Sequence, residues 1–238
     1  MFIPIRDDQP TIRPPVVTIG IIALNTLVFL ATWLQGPQAF QLFTYQFGYI
    51  PVELTHSVEL TPQMPASPYF TMFSSMFMHG GWLHLIGNML FLWIFGNNVE
   101  DYFGHVWFII FYLLSGLAAV TLQTVFDPNS QVPMIGASGA IAGVMGGYMI
   151  LHPRARITVL LFLFFFIQFV ALPAKIVLGI WFLYQLLMSL GASSEGGVAF
   201  FAHVGGFIFG LVVLWLLVKV RGKGSTPGGG QRVYKMQW

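Results

Sequence analysis

Long apolar runs organise this chain, separated by short joints rich in polar residues, glycine and proline. Val16 to Leu34 is the first run, and a helix needs ~20 such residues to cross the hydrocarbon core of a bilayer. The second spans about Trp82 to Phe95 and is closed by Gly96-Asn97-Asn98-Val99-Glu100-Asp101. The third covers Val106 to Val125, and the fourth covers Ser138 to Leu151, stopping at His152-Pro153-Arg154. Two adjacent stretches follow, Ile157 to Leu172 and Ile176 to Leu190, with Pro173-Ala174-Lys175 between them. The last run covers Val198 to Val220. These runs are continuous rather than alternating, so they predict helices and not barrel strands. The first is too long for a signal-peptide core, and no small-residue cleavage site follows it, so it is read as a retained helix.

The segments between the runs complete the outline. Residues 1–15 read as a polar tail, 16–220 as one helical domain, and 221–238 as a glycine-rich, basic and disordered tail. Residues 35–78 carry Phe40, Phe43, Tyr45, Phe47 and Tyr49 among several prolines. Such rings favour the membrane interface, so short helices lying partly in the outer leaflet are expected there.

Composition supports the membrane. The chain is 56% hydrophobic and 8% charged, against roughly a quarter charged in soluble domains. Mean hydropathy is +0.77. The fold class expected is an all-α polytopic membrane protein. There is no cysteine, which excludes disulfides, thiolate nucleophiles and Cys-based metal sites. The basic residues sit at segment ends, which reads as topology and not as a nucleic-acid surface.

Charge sets the expected topology. Every Lys and Arg lies in the N-terminal tail, from Arg154 to Lys175, or beyond Val218. Segments 35–78, 126–137 and 191–197 hold none. By the positive-inside rule both termini are cytoplasmic, so the number of crossings is even. If Ile157–Leu172 crossed, the last run would start inside and His203 would face away from Ser138. At 16 residues that stretch is short for a span. It is read as interfacial or re-entrant structure under the helices, which leaves six crossings. A bacterial or archaeal plasma membrane is the expected location.

In that topology the chemistry gathers at one depth. Ser138 lies in Gly136-Ala137-Ser138-Gly139-Ala140, and His203 in Ala202-His203-Val204-Gly205-Gly206. His84 and Asn88 are four apart and share a helix face. All four fall within about two turns of an outward helix end. Gly139, Gly143 and Gly147 form a small-residue stripe, as do Ala202, Gly206 and Gly210. Such stripes let membrane helices approach closely, which would bring Ser138 to His203. A serine hydroxyl is a weak nucleophile until a base takes its proton, and His203 is the expected base. His84, Asn88 and the Ser138 backbone N–H are the expected oxyanion donors.

Each residue alone has a plainer reading. A serine in a glycine-rich helix is usually packing, and Asn25 in the first run is read that way. Intramembrane polar groups are costly and tend to be functional, so two histidines, an asparagine and a serine at one depth outweigh it. His79 is expected to be structural, and His56, His105 and His152 solvated. No Asp or Glu lies inside an expected span, so a Ser–His dyad is the most the sequence offers. There is no His-Glu-x-x-His for zinc, no intramembrane aspartate pair, and no Gly-x-Ser-x-Gly elbow. A small transporter would want more intramembrane charge.

The motifs resemble the rhomboid family of intramembrane serine proteases. The pieces are His84-Leu-Ile-Gly-Asn88, Gly136-Ala-Ser138-Gly139, and Ala202-His203-Val-Gly205-Gly206-Phe-Ile-Phe-Gly210, over roughly residues 16–220. The resemblance implies a six-transmembrane-helix bundle with Ser138 as nucleophile, His203 as base, and His84 and Asn88 around the oxyanion. It implies cleavage of single-span membrane proteins without metal, ATP or other cofactor. A catalytically inactive relative that binds membrane helices is the alternative, and such proteins normally lose the serine or the histidine. Two departures stand out. Many members carry Trp-Arg in the first outer loop, and residues 35–78 hold neither. Many bacterial members place a tyrosine against the catalytic ring four residues after the serine, where this chain has Ala142. Substrate is expected to arrive sideways past the fifth span, with Trp181, Phe182, Tyr184 and Leu186 as a door and residues 191–197 as part of a roof.

Overall fold

A computed structural model describes residues 2–60, 66–163, 166–191 and 198–220. Its long helices are α1 (Val16–Trp33), α5 (Trp82–Phe103), α6 (His105–Phe126), α7 (Ser138–Leu151), α8 (Ala174–Gly191) and α9 (Phe200–Val220). Each expected span is present as one of these. By length and composition α1, α6 and α9 can cross a membrane, while α7 and α8 are shorter apolar helices. Apolar side chains such as Leu27, Trp107 and Leu187 point outward, as lipid-facing residues should. Short helices α2 (Pro37–Phe47), α3 (Pro51–His56) and α4 (Pro68–Ser74) fill the aromatic connection, as its composition predicts. The fold is a helical membrane bundle.

α7 sits at the centre, with Gly139 through Tyr148 buried. Its glycines set the approach of α9. A Cβ on Gly206 would strike the Gly139 carbonyl, and one on Gly210 would strike that of Gly143. The two stripes therefore meet as expected. Gly146 adds a contact that the four-residue spacing misses, lying against the Phe207 carbonyl. Gly147 faces the side chains of Leu214 and Phe111. Asn25 is buried and donates to the Ile21 carbonyl at 2.8 Å, a packing role.

The structure departs from the expected outline in three places. First, residues 157–172, expected as interfacial or re-entrant structure, are strands rather than helix. They form an antiparallel pair, β2 (Arg156–Leu163) and β3 (Phe166–Pro173), with Arg156 opposite Pro173. The stretch is rich in β-branched residues (Ile157, Thr158, Val159, Ile167, Val170) and too short to span as a helix. Second, part of the N-terminal tail is β1 (Phe2–Arg6), which pairs with β2 to make a three-stranded sheet in the order β1-β2-β3. Third, α5 does not close at Phe95 but runs to Phe103. Its polar last turns are engaged by the N-terminal segment: Asp101 accepts from the Ile12 and Arg13 amides, and Asn98 donates to Asp7.

Glu100 explains how α1 starts. That helix has no capping side chain of its own, and the first amides of a helix have no intrahelical partner. Glu100 accepts from the Val17 amide at 2.9 Å, the Thr18 amide at 2.8 Å and the Thr18 hydroxyl at 2.7 Å. His105 closes on the same carboxylate at 2.6 Å, so it is engaged and not simply solvated. His152 stacks at a tilt near Tyr148, with ring centroids 5.2 Å apart. The expected tail at 221–238 and roof at 192–197 lie outside the described residues.

Candidate active site

The site lies at the end of the bundle opposite Glu100, where α5, α7 and α9 begin and α8 finishes. Ser138 is the first residue of α7. The strand of chain leading to it is held from behind. Tyr49 and Met134 exchange backbone hydrogen bonds of 3.0 and 2.7 Å, and the Gly136 amide donates to the Ser75 carbonyl at 2.9 Å. Gly136 must be glycine here. Its φ is +125°, and a Cβ would sit 2.7 Å from the His84 ring.

His203 stands in the first turn of α9, almost fully buried. Its Nε2 is 2.8 Å from the Ser138 hydroxyl, and its Nδ1 is 2.8 Å from the Gln185 side-chain oxygen. The Gly stripes one turn and more below are what permit this contact. Position 142 offers the His203 ring no aromatic support. Trp181 of α8 stands beside the ring instead, with centroids 5.9 Å apart and planes tilted by 37°. Trp181 and Phe182 also pack on Phe207 at 6.0 and 4.7 Å. These two rings of the expected door therefore face the bundle, while Tyr184 points outward.

His84 and Asn88 lie on one face of α5, next to Gly136. The His84 Nδ1 accepts from the Gly80 amide at 3.3 Å, which leaves Nε2 to carry the proton. Asn88 is buried, and its amide nitrogen has no partner among the described residues. Buried polar groups are nearly always bonded, so each exception calls for an explanation. The Ser138 backbone N–H opens a helix without a side-chain cap, in the position where the helix dipole favours negative charge. All four sequence-chosen residues, Ser138, His203, His84 and Asn88, thus come together. His79 does not join them. It is buried behind His84, with ring centroids 5.1 Å apart. Burial, with the His84 ring beside it, pushes its pKa down to about 3, so it is neutral packing.

A cavity of about 900 Å³ opens over the group, lined by His84, Asn88, Ser138, His203, Gln185 and Trp181 among others. Sequence reasoning missed two of its polar residues. Gln185 is the lone amide in an apolar helix, and that isolation was its one signal. Gln123 of α6 accepts from the Ala202 amide at 3.2 Å and so supports the start of α9. Among the described residues no cluster of His, Asp and Glu could hold a metal ion.

Comparison with known proteins points the same way. A family model described as "Rhomboid domain" matches residues 66–220. RHOMBOID-like protein 4 of Arabidopsis thaliana is 31% identical over 145 residues, covering 61% of this chain and 33% of that protein. Rhomboid-like protein 11, chloroplastic, of the same plant is 30% identical over 172 residues, covering 68% and 57%. Rhomboid protein 1, mitochondrial, of Saccharomyces cerevisiae is 30% identical over 153 residues, covering 61% and 41%. The chain thus spans between a third and about three-fifths of the length of these relatives. Two of them carry organelle names, and nothing in the similarities favours a bacterial or archaeal membrane.

Proposed function

Because the chain belongs to the rhomboid family, we propose that it is a serine endopeptidase that cleaves single-span membrane proteins within the bilayer. The observation that carries this reading is the 2.8 Å contact between His203 Nε2 and the Ser138 hydroxyl. A second supports it: the unpaired Asn88 amide beside the same cavity.

The chemistry follows from those groups. His203 Nε2 takes the hydroxyl proton as Ser138 Oγ bonds to a peptide carbonyl carbon. The carbonyl oxygen becomes an oxyanion. Asn88, the His84 Nε2–H and the Ser138 backbone N–H can donate to it, and each bond strengthens as the charge forms. Collapse breaks the peptide C–N bond, and the proton on His203 leaves with the amine. Water then attacks the acyl ester as His203 takes its proton; the acyl C–Oγ bond breaks, and that proton passes to Ser138 Oγ. The cavity is large enough to hold that water.

The proposed topology has six crossings, with both termini on the side that carries the basic residues and Ser138 near the other face. A membrane-helix substrate hides its carbonyls in backbone hydrogen bonds, so it must unwind locally before attack. Segments weakened by Gly or Pro are the better substrates. The test is cleavage of a single-span substrate in proteoliposomes. Wild-type protein should cut it, and Ser138→Ala and His203→Ala should each fall to background while keeping their melting temperature. Substantial turnover by either variant would sink the dyad.

A further inference from the structure

The sequence offers no acidic third member, and the structure puts a neutral amide where one would stand. We infer that Gln185 is a positioning residue: its side-chain carbonyl locks His203 in the tautomer that can accept the Ser138 proton. This rests on the protease reading for its catalytic consequence, though not for its structural one.

The argument begins with inventory. A glutamine side-chain oxygen can only accept, so the 2.8 Å contact to His203 Nδ1 requires the hydrogen to sit on Nδ1. A neutral imidazole carries one proton. Nε2 is then a bare acceptor, and in the 2.8 Å contact with Ser138 the hydroxyl is the donor. Without Gln185 no other described residue bonds Nδ1 to hold that choice. With the proton on Nε2, His203 would donate to Ser138 and could not activate it.

Burial makes the lock specific. Gln185 is only 6% exposed, while its neighbours Leu183, Tyr184 and Leu187 are more than half exposed. The one amide of α8 is turned inward, on the face that also buries Val177, Leu178 and Ser189. One turn earlier, Trp181 lies on the same helix face and packs beside the His203 ring. α8 therefore constrains both the plane of the imidazole and its proton. α7 meets the ring through the Ser138 hydroxyl and, with Ala142 at the corresponding place, stacks no ring against it. An amide also suits the low-dielectric setting, because it fixes a tautomer without burying a charge. Among the described residues, the other polar groups lining the cavity with His203 include His84 from α5, Gln123 from α6 and Ser138 from α7, with Asp127 the carboxylate in that lining.

Two readouts on the 238-residue chain in detergent test this. The first is imidazole nitrogen NMR of 15N-histidine-labelled protein, with His203→Gln used to assign the signal. Wild type should show the Nδ1–H tautomer at His203, and Gln185→Leu should show a mixture or the Nε2–H form. The second is steady-state cleavage against pH. Gln185→Leu should lose roughly 10–10²-fold in kcat, with KM within about twofold. Gln185→Glu should regain most of that rate. Its carboxylate would also favour the protonated ring, so the acidic limb of the profile should move to higher pH. A wild-type protein with Nε2–H at His203 overturns the proposal. So does Gln185→Leu with unchanged tautomer and kcat, or a Gln185→Glu profile that does not move. If no variant, wild type included, cleaves substrate, the protease reading has failed, and the tautomer measurement still decides the role of Gln185.

Discussion

At one end of the bundle Glu100 accepts hydrogen bonds from two amides and a hydroxyl and pairs with His105, and Asp101 accepts from two further amides. At the other end Asn88, also buried, has no partner for its amide nitrogen among the described residues. The two carboxylates at the first end are saturated, and the Asn88 donor at the other is not. Most structural polar groups are saturated, since an unmet buried partner costs roughly 1–3 kcal/mol. On the proposed protease reading, a free donor beside Ser138 instead waits for an acceptor that forms only during reaction. The difference predicts that substitutions at the two ends will move different observables.

The largest expected effect comes from the contact that serves both ends. Gly210→Leu drives a side chain into the Gly143 backbone and should cost about 3 kcal/mol or more, with cleavage lost as well. Thermal unfolding in micelles alongside the proteoliposome assay checks it. Next is Glu100→Ala, which strands the amides of Val17 and Thr18. It should lower stability by about 2–3 kcal/mol while the surviving folded protein keeps its kcat. Asn88→Ala should do the reverse. The melting temperature should hold or rise slightly, and kcat should fall about 10–10³-fold with little change in KM. A pure KM effect would mean that Asn88 positions substrate rather than the oxyanion. Tyr148→Phe is the mildest. It removes a 2.6 Å bond from α7 to Asp7 and should cost about 1 kcal/mol with no effect on kcat.

The site end was the more legible in sequence. Small-residue stripes and polar groups at shared depth are local patterns, and they located Ser138, His203, His84 and Asn88 correctly relative to one another. Gln185 escaped because one amide in an apolar helix carries no spacing signal. The other end was harder for a different reason. Its polar residues are satisfied by partners far along the chain, as when Asp7 meets Asn98 and Tyr148. Asn97, Asn98, Glu100 and Asp101 therefore read as the close of a helix when they are its anchored continuation. Residues 157–172 are apolar on both faces, so periodicity could not tell strand from helix. Their pairing with β1 spans more than 150 residues of sequence.

The central claim is that the 2.8 Å Ser138–His203 contact makes an activated nucleophile. A fluorophosphonate probe followed by peptide mass spectrometry tests it most directly. The account predicts one adduct, on Ser138, formed by wild type and by Glu100→Ala but not by His203→Ala. An adduct on a different serine, or equal labelling of Ser138 in His203→Ala, would contradict it.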